Sequence, residues 1–453
     1  MSNNSPRAVF GSSLTAMLVT AGCSVGLGNI WRFPYLVGEG GGAAFIIIYL
    51  LAVIFIGHPI MLAEFAVGRS THKNAVGAYS VKDKRWGLLG YNGVFIAFVI
   101  MGFYFVVAGW TIEYMVNSAD GAFTGFTSAD EYTGFFSNYV SGVWTPLIYT
   151  WIFILISHSV IALGVQKGIE RATKVLMPAL FIILIVLAIT SIRMPNSEVG
   201  LKYLFVPDFS KVTSRTIINA VGQVFFSLSV GLGCLTTYAS YFSDKTDIRK
   251  TATQLTIVDT IVALLASVII LPAVFSVGIE PTSGPSLVFI TLPGIFNTLP
   301  FPELVSTIFF MLLFIAALTS TISLHEVVTA YLIEERKMTR VKAVSMVSAA
   351  TVVMATLASL SLGVLSEFKI FGYVIFDLFD ALTSNLLLPM GGVMICVYAS
   401  WILGDRFMHA QLSNESRHSD TIVAINIFLL RYVSPVAVFI LFLDGIGVFK
   451  MFR

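Results

Sequence analysis

Apolar residues run along this chain in long blocks separated by short polar connections. Eleven blocks hold about 20 or more mostly apolar residues, the length a helix needs to cross a bilayer. They are Phe10–Tyr35, Ala43–Val67, Leu88–Asn117, Trp144–Leu163, Ile169–Ile192, Thr216–Phe242, Thr251–Val277, Glu303–Ile333, Val341–Leu360, Phe371–Leu403 and Thr421–Phe449. Several exceed the minimum, which implies tilt, breaks or projecting ends. Lys and Arg then set the orientation. Arg69, Lys73, Lys82, Lys84 and Arg85 crowd one connection; Lys167, Arg171 and Lys174 another; Arg249 and Lys250 a third; Arg336, Lys337, Arg340 and Lys342 a fourth. The intervening Ser118–Val143 and Gly278–Pro302 contain neither Lys nor Arg. This alternation predicts a cytoplasmic N-terminus and, with an odd number of spans, an external C-terminus at Lys450–Arg453. The apolar stretch Gly284–Pro302 is interrupted by prolines, and a span there would invert the later loop charges. It reads as a capping helix-turn in an external loop.

Composition agrees. Hydrophobic residues make up 57% of the chain and charged residues 11%, against about 25% in soluble proteins. So few charges cannot cover a water-facing surface. The net charge of +2 gives no sign of nucleic-acid binding. Cys23, Cys234 and Cys396 lie in separate apolar blocks, form no CxxC pair and read as small buried hydrophobes. The polar N-terminal MSNNSPRAVF lacks a compact apolar core and cleavage site, so it reads as retained.

Two blocks are interrupted at membrane depth. The first contains AGCSVGLGN, Ala21–Asn29. Its GCSVG fits a hydrolase nucleophile elbow, Gly22 and Gly26 have the spacing of a packed helix pair, and its glycines would break a helix. The sixth reads FFSLSVGLGCLTTYASY, Phe225–Tyr241. The two lie five blocks apart. Two units of five helices have opposite orientations, so a break in each is the signature of an inverted repeat. The predicted fold is an all-α polytopic membrane protein with a 5+5 inverted-repeat transporter architecture. Within the single domain 1–453, residues 10–192 form the first repeat, 216–403 the second, and 421–449 an additional helix. Lipid cannot satisfy the backbone groups of a break, so they must line a cavity or bind something. Carbonyls suit a hard cation such as sodium, and half-helix N-termini suit a carboxylate. Asp259, within LTIVDTIVALL, is a costly intramembrane carboxylate and a functional candidate. Thr319, Ser320, Thr321 and Ser323 crowd the eighth block. Tyr104 reads equally as a packed aromatic.

SVGLGNIWRFPY (Ser24–Tyr35), EGGGAAFIIIYLLA (Glu39–Ala52), GHPIMLAEFAVGR (Gly57–Arg69), GQVFFSLSVGLG (Gly222–Gly233) and AALTSTIS (Ala316–Ser323) strongly resemble the neurotransmitter:sodium symporter family, and its bacterial amino-acid transporters in particular. The resemblance spans nearly the whole chain and implies two sodium sites flanking one substrate site. The first sodium would meet the Ser24 carbonyl, the Asn29 side chain, Ser227 and the substrate carboxylate. Ser227 stands where the family has Thr, and Asp259 where it often has Asn. Some relatives use chloride to balance sodium's charge, and a fixed carboxylate at Asp259 would supply that charge itself. We therefore expect no chloride dependence, and proton counter-movement when sodium leaves Asp259. The second sodium would meet the carbonyls of Gly22, Val25 and Ala316 and the hydroxyls of Thr319 and Ser320.

The substrate carboxylate would be held by sodium, the Leu27 and Gly28 amides and the Tyr104 hydroxyl. Its amino group would be held by the carbonyls of Ser24, Phe226 and Ser227 and by Ser229. Ile100, Phe226, Leu232, Ser320 and Leu324 would meet its side chain. Gly26 stands where monoamine-transporting relatives have Asp, so it leaves room for a carboxylate. The implied ligand is a hydrophobic or aromatic amino acid. Arg32 resembles half of an external gate with Asp380 (Asp377 is the alternative), and Arg7 half of an internal gate with Glu334 near Tyr241. Gly168 and Pro178 resemble the bounds of a segment that unwinds to let water reach the second sodium. The expected setting is a bacterial or archaeal plasma membrane, with the chain a monomer or weak dimer. Two other classes fit less well. A hydrolase elbow needs a strand before it, and HEVVT (His325–Thr329) lacks the second His of a zinc motif. An ion channel would not need an amino-acid-shaped pocket.

Overall fold

The computed structural model describes residues 9–276, 287–413 and 419–449. Among them the chain is helical, with two isolated bridges, Gly42 with Pro207 and Ile370 with Tyr373, and no strand. Nine continuous helices are long and apolar enough to cross a membrane: Ala43–Thr71, Lys84–Ala119, Trp144–Ala162, Val165–Ile192, Ile248–Phe275, Pro302–Glu335, Arg340–Leu360, Ile375–Leu412 and Asp420–Gly445. The first block is a bent pair, Ser13–Ser24 and Gly28–Glu39, turned by 60° at the glycine-rich break. The sixth block departs from its expected form. It consists of Ser214–Ser227 and Cys234–Ala239, and neither is long enough to cross alone. Of the eleven expected spans, nine are thus continuous and a tenth is the bent pair. The tenth block also runs on beyond Leu403 to Leu412.

The helices sort by what surrounds them. Lys84–Ala119 has 89% of its apolar window buried and Pro302–Glu335 72%, whereas Asp420–Gly445 has 28%. The first two pack on each other, and Pro302–Glu335 and Ile248–Ser276 both pack against Ser13–Ser24 of the broken first block. Wholly apolar helices are buried by protein on one side and lipid on the other, so they show little amphipathic pattern. Among the described residues of the stretch expected to cap one end, Leu287–Thr291 runs directly into Leu292–Phe296. Phe289 anchors them against Tyr114 at 5.1 Å, Trp110 at 5.6 Å and Trp31 at 6.2 Å between ring centroids. Gly284 and the two residues after it lie outside the described residues. The Gly168–Pro178 segment is fully wound: Val165–Glu170 is a wide-turned π-helix that runs directly into Arg171–Ile192.

Candidate functional site

The two breaks face each other. In the first, Val25 leaves the helix with extended dihedrals (φ −72°, ψ 106°). The Asn29 side chain folds back to accept from the Gly26 amide at 3.1 Å, and the Tyr104 hydroxyl accepts from the Leu27 amide at 3.2 Å. In the second, Ser229, Gly231 and Gly233 take positive φ of 53°, 88° and 73°. Glycine adopts that region freely and serine does so at a cost. Ser229 is held there because its hydroxyl donates to the Cys23 carbonyl at 3.0 Å. Gln223 donates to the Gly28 carbonyl at 3.1 Å, and Ser24 to the Leu228 carbonyl at 3.4 Å.

One residue that holds this arrangement was not singled out from the sequence. The Glu64 carboxyl, fully buried, accepts from the Gly231 amide at 2.7 Å and from the Thr236 amide and hydroxyl at 3.3 and 3.1 Å. It satisfies amides that the second break sets free. The signal was present, since an acidic residue amid GHPIMLAEFAVGR is as costly in a membrane as Asp259. Glu64→Ala leaves those donors unpaired and should cost about 2–4 kcal/mol of stability. The check is thermal unfolding of the detergent-purified protein, where Glu64→Gln should lose less.

Asn29, Ser227, Asp259 and Tyr49 form one buried cluster, each at 0% exposure. Asn29 Nδ2 donates to Ser227 Oγ and to Asp259 Oδ1, both at 2.8 Å. Ser227 Oγ donates to Asp259 Oδ2 at 2.6 Å, and the Tyr49 hydroxyl to the same oxygen at 3.3 Å. Every donor to Asp259 is neutral. A carboxylate in so dry a place calls for a counter-charge, and the neighbouring oxygens suit a hard cation. On the other side of the first break, Ser320 Oγ donates to the Val25 carbonyl at 3.4 Å and Thr319 Oγ1 to the Ala316 carbonyl at 3.0 Å. A Cβ placed on Gly22 would lie 3.4 Å from the Thr319 side chain. Gly22, Val25, Ala316, Thr319 and Ser320 are thus brought together as an oxygen-lined group.

Between the two groups lies a cavity of about 40 Å³. Ser24, Gly26, Gly28, Ile100, Tyr104, Phe226, Ser229, Leu232, Ser320 and Leu324 line it, as do Cys23, Phe225, Cys234 and Leu388, which the sequence did not suggest. Leu27 and Ser227, both fully buried, are not part of this lining. The wall is chiefly apolar and the polar atoms gather at the breaks. Gly26 and Gly28 are close approaches: a Cβ on Gly26 would lie 2.6 Å from Ser320 Oγ and 3.1 Å from the Tyr104 hydroxyl, and one on Gly28 would strike the Phe226 ring. Phe226 also borders a second cavity of about 90 Å³, lined in part by Arg32, Asn219, Ser384 and Asp444. Phe225 and Leu388 border both as well, and the Arg32 guanidinium lies 5.1 Å over the Phe226 ring.

The gate residues sit less simply. Among the described residues no ion pair within 4.0 Å joins Arg32 to Asp380, and Asp380 instead accepts from Ser384 at 2.9 Å. Arg7 lies outside the described residues. Glu334 accepts from the Asn74 amide at 2.7 Å and its side chain at 3.0 Å. Tyr241 donates to Glu326 at 2.8 Å, and Arg340 binds Glu326 through its two terminal nitrogens at 2.6 and 3.2 Å. This Glu326–Arg340 pair was not foreseen; Arg340 read only as a loop charge, and Glu326 as part of a failed zinc motif. His325 of that motif is bonded through both nitrogens, to Thr329 and Ser348 at 2.9 Å each. No group of three His, Cys, Asp or Glu side chains able to hold a metal ion occurs among the described residues.

Comparison with known proteins places these features. A model of the sodium:neurotransmitter symporter family matches residues 7–132 and 140–452. The sodium-dependent transporter YhdH of Bacillus subtilis is 36% identical over 440 residues, covering 96% of this chain and 97% of its own. A sodium-dependent transporter of Haemophilus influenzae is 35% identical, covering 98% and 99%. The crystal structure of MhsT in complex with L-phenylalanine superposes with a TM-score of 0.89 at 37% identity, covering 97% of this chain and 100% of that one. The first two are named as sodium-dependent transporters. The helical fold, the paired breaks and the matches along almost the whole length agree, and the chain belongs to the sodium:neurotransmitter symporter family.

Proposed function

We propose that this symporter imports a hydrophobic or aromatic L-amino acid with two sodium ions, by alternating access and without chloride. The observation that carries the reading is the apolar cavity between the two breaks, where Gly26 presents no carboxylate of its own. The substrate's carboxylate fits beside the Leu27 and Gly28 amides and Tyr104, its amino group beside the carbonyls of Ser24, Phe226 and Ser227 and the Ser229 hydroxyl. Its side chain fits against Ile100, Phe226, Leu232, Ser320 and Leu324. That MhsT was crystallised with L-phenylalanine supports an aromatic ligand. One sodium fits among Ser24, Asn29, Ser227, Asp259 and the substrate; the other among Gly22, Val25, Ala316, Thr319 and Ser320.

Sodium moving inward gains about 2.3 kcal/mol per charge per 100 mV, which drives uptake. Asp259 balances the charge of the first ion, and a proton takes sodium's place there on the return. Phe226 with Arg32 and Asp380 forms the outer gate, and Arg7, Tyr241 and Glu334 the inner one. The repeats span 10–192 and 216–403, in the plasma membrane, with the N-terminus cytoplasmic and the C-terminus external. Uptake of labelled amino acids into proteoliposomes tests the whole. Uptake should saturate, require a sodium gradient, compete best with aromatic and branched amino acids, and persist when gluconate replaces chloride. Sodium current without coupled uptake would make the protein a channel, and chloride-dependent uptake would remove the role given to Asp259.

A further inference from the structure

We propose that Cys23 and Cys234 form a reversible disulfide lock on the substrate cavity. Cys23 lies at the end of Ser13–Ser24 and Cys234 opens Cys234–Ala239, so each thiol sits where a helix meets its break. The two residues are 4% and 1% exposed, and both line the cavity between the breaks. The two helices that carry them pack against each other, which brings both side chains to one wall of that cavity. The backbone beside them is already tied, since the Cys23 carbonyl accepts from Ser229 at 3.0 Å. Buried thiols are inert in a closed core. These two differ in facing a cavity that must open for substrate to enter. Cys396, also buried, lies outside that cavity and serves as an internal comparison.

The co-reactant is a small-molecule disulfide. The thiolate of one cysteine attacks a sulfur of the reagent, and the reagent's disulfide breaks to release one small thiolate. The second cysteine thiolate then attacks the mixed disulfide and displaces the other. Two protein thiols and one small disulfide become one protein disulfide and two small thiols, which carry off both protons and both electrons. An S–S bond of about 2.05 Å then holds together two helices that flank one half of the cavity. Opening between them is prevented until a thiol reductant reverses the exchange. This effect on uptake rests on the alternating access proposed above; formation of the bond does not.

The test treats the full chain in proteoliposomes with 4,4′-dithiodipyridine, then follows peptide mass and sodium-driven amino-acid uptake. The expected product is a Cys23–Cys234 cross-linked peptide with no retained pyridyl adduct and with Cys396 unmodified. Uptake falls to background and returns with dithiothreitol. The double variant Cys23→Ser/Cys234→Ser, compared with its own untreated uptake, is insensitive, whereas each single variant retains a pyridyl adduct on its remaining cysteine. Two separate pyridyl adducts without a cross-link overturn the proposal, as does a cross-linked protein that still transports. A Cys23→Ser/Cys234→Ser variant that is inactivated equally has the same consequence. Absence of uptake in untreated vesicles falls on the transport reading instead, and there the peptide mass alone decides whether the bond forms.

Discussion

Gly26→Asp should leave no measurable uptake of a hydrophobic amino acid. A side chain at this position points at Ser320 Oγ, 2.6 Å from its Cβ, and at the Tyr104 hydroxyl, 3.1 Å away. These atoms bound the place proposed for the substrate carboxylate. A second carboxylate there costs several kcal/mol in a buried site, so affinity should fall by more than about a hundredfold. Overpacking alone would mimic this result, so a second ligand separates the causes. Phenethylamine keeps the amino group and ring of phenylalanine and lacks its carboxylate. The variant should be thermally stabilised by phenethylamine and not by phenylalanine, and the parent chain by phenylalanine. Retained phenylalanine uptake in Gly26→Asp sinks the proposed placement.

Asp259→Asn should weaken sodium activation and stop chloride-free transport. The carboxylate receives hydrogen bonds from Asn29, Ser227 and Tyr49, all neutral, so its formal charge faces only the ion it is proposed to hold. Removing one partner of a buried charge pair costs about 3–5 kcal/mol, or about a hundredfold or more in the sodium concentration for half-maximal uptake. The substituted amide also turns a donor toward Asn29 Nδ2, which adds to the loss. The measurement is initial uptake against sodium concentration in gluconate medium. Full activity there would remove Asp259 from the charge balance and leave it a structural group.

The proposed site was legible in unequal measure, and particular residues show why. The breaks were readable because Gly22, Gly26 and Gly28, and Gly231 and Gly233, sit in apolar runs where unpaired backbone is expensive. Asp259 was readable for the same reason. Glu64 carries the same signal, yet what it does depends on the Gly231 and Thr236 amides, 167 and 172 residues away. Glu326 read as a fragment of a catalytic motif, and its buried pairing with Arg340 joins a mid-helix residue to the start of the next span.

The sequence by itself determined the class of molecule, the course of nine continuous helices and the family. Each follows from local terms: an apolar run of sufficient length must be helical in lipid, and glycine with small polar residues marks where it may not stay so. Only the tertiary structure decided which side chains meet. Asn29 finds Asp259 across 230 residues, and Ser229 reaches the Cys23 carbonyl across 206. It also set the Arg32 guanidinium over Phe226 without an ion pair to Asp380, and Cys23 and Cys234 in the lining of one cavity. Such contacts depend on how each helix is rotated and tilted against its neighbours. In a membrane that is governed by close packing and interhelical hydrogen bonds, which no apolar pattern along one helix encodes.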